Sequence, residues 1–127
     1  MARYNFCVLF VEDEESIRGM IGGYLQRLFK DLHYASNGEE GLEKFLEVKP
    51  DIVITDIEMP KMDGLLMCSK IKQINQNTHI IFTTAFSEPE QIEAANKLGA
   101  AAYLVKPIDY DELTSIIAGL LEKSSAN

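Results

Sequence analysis

Three things are scarce in this chain, and each scarcity narrows the reading. No apolar run approaches the roughly 20 residues a bilayer-spanning helix needs. The N-terminal stretch MARYNFCVLFVEDE passes from a short apolar run straight into acids, with no small-residue cleavage site of a signal peptide. The expectation is a cytoplasmic protein with no membrane association. Cysteine is limited to Cys7 and Cys68. Neither sits in a CxxC or Cys/His spacing that suggests zinc. Both read as small buried hydrophobes, Cys7 in an apolar run and Cys68 in a helical pattern. Basic residues are outnumbered: 12 Lys and Arg against 20 Asp and Glu leave a net charge of −8. That balance argues against direct nucleic-acid binding and against acidic membrane surfaces. Most of the acids read as solvated helix faces.

What is present is an ordinary globular composition, 46% apolar and 25% charged over 127 residues. That length suits one domain with its own core, residues 1–127, ending in a polar tail over 122–127. Phe6 to Val11 (FCVLFV), Asp51 to Thr55 (DIVIT), His79 to Thr84 (HIIFTT) and Ala101 to Val105 (AAYLV) are short apolar runs without alternation. Such runs predict strands covered on both faces, hence a parallel sheet. His33-Tyr34-Ala35 is a weaker strand candidate.

Helical patterns lie between these runs. Ile17, Met20, Ile21, Tyr24, Leu25 and Leu28 form one apolar stripe. Asn37-Gly38-Glu39-Glu40 reads as a capping box before a helix carrying Leu42, Phe45 and Leu46. A third helix starts near Gly64 and carries Leu65, Cys68, Ile71 and Ile74. Ser87-Glu88-Pro89-Glu90 opens a fourth, with Gly99 beyond its end. Asp109 to Glu112 opens a fifth, with Leu113, Ile116, Ile117, Leu120 and Leu121 facing inward. Strand and helix therefore alternate five times. The expected fold is α/β, a doubly wound, flavodoxin-like (βα)5 unit with helices on both faces of a five-stranded parallel sheet.

In such sheets, ligands bind outside the carboxyl ends of the strands. Glu12-Asp13 ends the first strand, Asp56 the third, Thr84 the fourth and Lys106 the fifth. Two like charges about 4 Å apart repel by ~1 kcal/mol in water and ~4 kcal/mol at a protein surface. Glu12, Asp13 and Asp56 together therefore call for a cation. Hard oxygen ligands with room for water suit Mg²⁺, with Mn²⁺ able to substitute. Carboxylates, a divalent ion, the Lys106 ammonium and the Thr84 hydroxyl make a site for a phosphoryl group, with Asp56 as the natural oxygen nucleophile. Each residue alone has a plainer reading. Asp13 could cap the first helix, Asp63 reads as a cap or turn before Gly64, Thr84 as a strand hydroxyl and Lys106 as a surface lysine. Their joint placement at four strand ends favours the site.

These residues fall in VED (Val11 to Asp13), DIEMPKMDG (Asp56 to Gly64), TTA (Thr83 to Ala85) and YLVKP (Tyr103 to Pro107). In that order the chain, from Phe6 to about Leu121, resembles a response-regulator receiver domain of two-component signalling. The resemblance implies that Asp56 accepts a phosphoryl group from a histidine kinase or phosphotransfer protein. It implies that Glu12, Asp13, Asp56 and the backbone carbonyl of Glu58 hold Mg²⁺, and that Thr84 and Lys106 bind phosphoryl oxygens. Lys106-Pro107 is expected to be a cis peptide. Tyr103 is the expected switch aromatic, turning inward as Thr84 moves. That would reshape the face made by the fourth helix, fifth strand and fifth helix for an output domain or partner protein. Glu58 and Phe86 occupy the two positions that tune phosphoryl lifetime in this family. Ala101 and Ala102 replace an acidic pair usual in DNA-binding members that dimerise through this face, which puts that dimer in doubt.

Other readings use the same residues. A haloacid-dehalogenase-type phosphatase also has an aspartate nucleophile, Mg²⁺, a threonine and a lysine. Its nucleophile follows the first strand, however, and this one follows the third. A flavodoxin-like cofactor protein wants a Ser/Thr/Gly loop where Glu12-Asp13-Glu14-Glu15 stands. An interaction module with a vestigial site does not need the full set of acids, threonine and lysine. The resemblance implies a switch, not an enzyme beyond its own phosphorylation and slow autodephosphorylation.

Overall fold

The computed structural model describes residues 4–85 and 87–125. Its elements run β1 (Tyr4–Val11), α1 (Glu15–Leu28), β2 (Phe29–Ala35), α2 (Gly38–Val48), β3 (Ile52–Asp56), α3 (Gly64–Ile74), β4 (His79–Thr84), α4 (Pro89–Lys97), β5 (Ala102–Val105) and α5 (Tyr110–Ser125). The strands form one sheet in the order β2-β1-β3-β4-β5, every neighbouring pair parallel. This is the expected doubly wound α/β architecture.

Strand polarity explains the two-layer core. Successive residues of β1 point to opposite faces, so Val8 and Phe10 join one buried cluster and Leu9 and Val11 the other. The first cluster packs α1 and α5 through Ile21, Leu25, Leu113 and Ile117. The second packs α2 and α3 through Phe45, Met67 and Ile71. All five residues of β3 are buried, which is why that segment reads as an unbroken apolar run. Among the described residues, no helix is long and apolar enough to cross a membrane.

Three expectations need correction. β2 begins at Phe29, well before His33, because α1 ends directly in extended backbone at Phe29 with no intervening loop. It is an edge strand, so its run FKDLHYA mixes charged with apolar side chains and shows no continuous apolar signal. Met20, Leu46 and Ile74 lie on the expected helical stripes yet are 63%, 55% and 54% exposed. Leu46 and Ile74 instead line a surface cleft with Phe45 and Pro50. Finally, Cys68 is buried, but Cys7 is only half-buried, its thiol turned toward the Val48 carbonyl at 3.9 Å.

Candidate functional site

Strand order reverses between β1 and β3, since β1 leads outward to β2 and β3 leads the other way to β4. The carboxyl ends of these two central strands carry Glu12 and Asp56. Glu12 continues the β ladder, its N–H donating to the Ala35 carbonyl at 3.0 Å. Its side chain is fully buried, and its Oε2 accepts from the Glu14 N–H at 3.1 Å. The Arg18 guanidinium donates to the Glu12 carbonyl at 2.6 Å, pinning α1 against this strand end.

Asp56 ends β3. Its Oδ1 accepts from the Ile57 N–H at 2.7 Å, which orients the carboxylate and leaves Oδ2 facing the crevice. The Thr55 hydroxyl donates to the Asp56 carbonyl at 2.8 Å. The loop after Asp56 closes where the Gly64 N–H donates to the Ile57 carbonyl at 2.7 Å. A Cβ at residue 64 would lie 2.1 Å from the Asp56 carbonyl oxygen, so only glycine fits that approach. Asp63 caps α3 through its Oδ1, which accepts from the Leu66 N–H at 2.8 Å.

Glu12, Asp13 and Asp56 each offer a carboxylate oxygen within 4.8 Å of the other two. Asp13 is the solvent-facing member and does not cap α1, whose N-cap is Glu14 without a side-chain cap bond. Lys106 enters from the end of β5. Its Nζ donates to Glu12 Oε1 at 2.7 Å and to Asp56 Oδ2 at 3.0 Å. Burial pushes the Glu12 carboxyl above its ordinary range, against the pull of Lys106 and the Glu14 N–H. Burial alone would lower Lys106, but hydrogen bonds to Glu12 and Asp56 outweigh it and raise the ammonium. The Lys106–Pro107 peptide is cis.

Thr84 is buried at the end of β4, and its carbonyl accepts from the Lys106 N–H at 2.7 Å. Its side chain neighbours the Tyr103 phenol. Burial raises the Tyr103 pKa, and a hydrogen bond to Thr84 opposes that. The Tyr103 hydroxyl also donates to Gln91 Oε1 at 3.3 Å, and Gln91 Nε2 donates to Glu58 Oε1 at 3.4 Å. Gln91 thus bridges the Asp56 loop to the aromatic on β5. Nothing in the local sequence marks it, because a glutamine on a helix surface reads as solvated. Phe86 lies outside the described residues. Glu12, Asp13, Asp56 and Lys106 therefore meet at the carboxyl edge of the sheet, whereas Thr84 ends the neighbouring strand β4 with its hydroxyl on Tyr103.

A sequence model described as response regulator receiver domain matches residues 8–118. Regulatory protein AtoC of Escherichia coli is 35% identical over 118 residues, which cover 93% of this chain and 26% of that protein. Chemotaxis protein CheY of Halobacterium salinarum is 35% identical over 114 residues, covering 90% of this chain and 95% of that protein. The chain thus spans about a quarter of the first relative's length and nearly all of the second's. Among solved structures, the N-terminal domain of an uncharacterized protein from Wolinella succinogenes superposes with a TM-score of 0.89 at 33% identity. The match covers 94% of this chain and 97% of that one.

Proposed function

This chain belongs to the response-regulator receiver family, the phosphorylation-controlled switches of two-component signalling, and from that premise we propose that Asp56 is its phosphoacceptor. The observation that carries the reading is the Lys106 ammonium, held between Glu12 and Asp56 Oδ2 at the carboxyl edge of the sheet. The Ile57 N–H holds the other oxygen of Asp56, so Oδ2 is the nucleophile.

Oδ2 attacks the phosphorus of a phosphohistidine on a sensor kinase or phosphotransfer protein. The new P–O bond forms as the P–N bond breaks, and the imidazole leaves with the bonding electron pair. Lys106 exchanges a carboxylate partner for a phosphoryl oxygen, and the Thr84 hydroxyl donates to another. Glu12, Asp13 and Asp56 bring three hard carboxylate oxygens together, and with the Glu58 backbone carbonyl they would form a donor set for Mg²⁺, or Mn²⁺ in its place. Bound there, the ion supplies positive charge against repulsion between the carboxylates and the incoming phosphoryl group. As Thr84 moves, Tyr103 loses a partner and turns inward, and the α4-β5-α5 face changes for an output domain or partner protein. Glu58, beside the acceptor and tied to Gln91, tunes how long the phosphoryl group survives. The chain catalyses only its own phosphorylation and slow dephosphorylation, acts in the cytoplasm, and works over residues 1–127 as one unit.

The test is incubation with acetyl phosphate and Mg²⁺, followed by intact-mass analysis. Wild type gains one phosphoryl group and Asp56→Asn gains none. Equal gain in both, or none in wild type, removes Asp56 from this role. Steady turnover of a small phosphate ester in place of stoichiometric modification would point to a phosphatase instead.

A further inference from the structure

A second cluster of metal-ligating side chains stands at the opposite end of β1. Cys7 on β1 is the register partner of Asp31 on β2, and His33 follows two residues along β2 on the same face. The Cys7 sulfur, an Asp31 carboxylate oxygen and a His33 ring nitrogen all lie within 4.8 Å of one another. The strand pairing shifts register between Tyr4 and Cys7, immediately before the cluster. Irregularities of this kind re-aim a side chain out of the regular pleat. The backbone at Cys7 is held in place, its N–H donating to Asp51 Oδ2 at 2.9 Å. Cys7 and His33 are half-buried and Asp31 is exposed, so the cluster is open to solvent on one side.

Donor chemistry separates this cluster from the carboxylate site. Glu12 lies five residue steps, about 16 Å, along the strand from Cys7. Three carboxylates offer only hard oxygen, whereas a thiol, an imidazole and a carboxylate suit a borderline-soft ion. We propose that Cys7, Asp31 and His33 form a binding site for a divalent transition-metal ion of the zinc class, with a fourth position left to water. On binding, the thiol S–H bond breaks, a metal–sulfur bond forms and the proton leaves to solvent. His33 Nε2, now 2.7 Å from Asp31 Oδ1, gives up that hydrogen bond to coordinate. The ion would cross-link β1 to the edge strand β2 and is independent of phosphorylation at Asp56.

The experiment titrates Co²⁺, as a spectroscopic stand-in, into the reduced, metal-free full chain with Mg²⁺ in excess. Wild type should bind one equivalent with a sulfur-to-cobalt charge-transfer band that Zn²⁺ abolishes. Cys7→Ser should lose the band, and His33→Gln should weaken binding at least ~10-fold, since even outer-shell changes cost that much at metal sites. Cys68→Ala and Asp56→Asn should keep both band and affinity. No band in wild type, or an unchanged one in Cys7→Ser or His33→Gln, overturns the assignment. If Cys7→Ser does not fold by circular dichroism, alkylation decides. Zn²⁺ should slow iodoacetamide modification of Cys7 in wild type and not in His33→Gln. Equal rates with and without Zn²⁺ in wild type reject the site.

Discussion

Lys106 and Glu12, 94 residues apart in sequence, meet at 2.7 Å, and the same ammonium sits 3.0 Å from Asp56. One cation thus joins the ends of β1, β3 and β5. It relieves the repulsion that two neighbouring carboxylates, one of them fully buried, would otherwise exert.

Lys106→Met removes that cation and leaves Glu12 without its charged partner. The Lys106 side chain is only 13% exposed, so solvent screens the pair weakly. Breaking such a pair costs about 3–5 kcal/mol. Urea unfolding without Mg²⁺ should show a loss of that order, and adding Mg²⁺ should restore more stability to the variant than to wild type. Equal Mg²⁺ increments in the two would mean that Lys106 does not compete for the same carboxylates.

Gly64→Ala should distort the Asp56 loop. The new Cβ meets the backbone oxygen of Asp56, which cannot rotate away as a flexible side chain would. Overpacking of this kind costs about 1–3 kcal/mol. The urea midpoint should fall by that amount, and phosphorylation by acetyl phosphate should slow among the folded molecules, because Asp56 itself is displaced. A variant with wild-type stability and rate would contradict the tight approach.

Asp63 stands only seven residues from the acceptor, and its carboxylate serves as a helix cap. Asp63→Ala should therefore destabilise the chain by about 0.5–2 kcal/mol. The Mg²⁺ requirement for phosphorylation should stay as in wild type. A marked rise in the Mg²⁺ concentration needed would show Asp63 acting as a ligand.

Gln91→Ala cuts the bridge from Glu58 to Tyr103. The neutral bond to Tyr103 contributes about 0.5–1.5 kcal/mol and the bond to the Glu58 carboxylate is long and exposed, so the fold should survive. Without its Gln91 partner, the Tyr103 ring should sample the inward position before phosphorylation. Ring resonances of Tyr103 in the unphosphorylated variant should move toward those of phosphorylated wild type. Unchanged resonances would remove Gln91 from the coupling.

Much of this molecule is legible from local pattern. Ile52 to Asp56 shows no alternation because both faces of β3 are covered, and that absence alone announces a central parallel strand. Asn37, Asp63 and Asp109 cap their helices from one turn away, an interaction confined to a few residues of sequence. Glu12, Asp56, Thr84 and Lys106 stand out because each is a polar residue where an apolar run ends. Edge strand β2 hides for the opposite reason. Pairing on one side only lets Lys30 and Asp31 interrupt its apolar residues.

Periodicity and capping are local, so the chain alone suffices for the element order, the sheet class and the rim on which the acids, threonine and lysine fall. Which side chains touch is a matter of strand register and helix placement, set by packing across the whole sheet. That packing decides that one ammonium serves both Glu12 and Asp56. It lets Gln91 reach from α4 to Tyr103, and it lets Cys7 meet Asp31 and His33 although no spacing in the chain joins them.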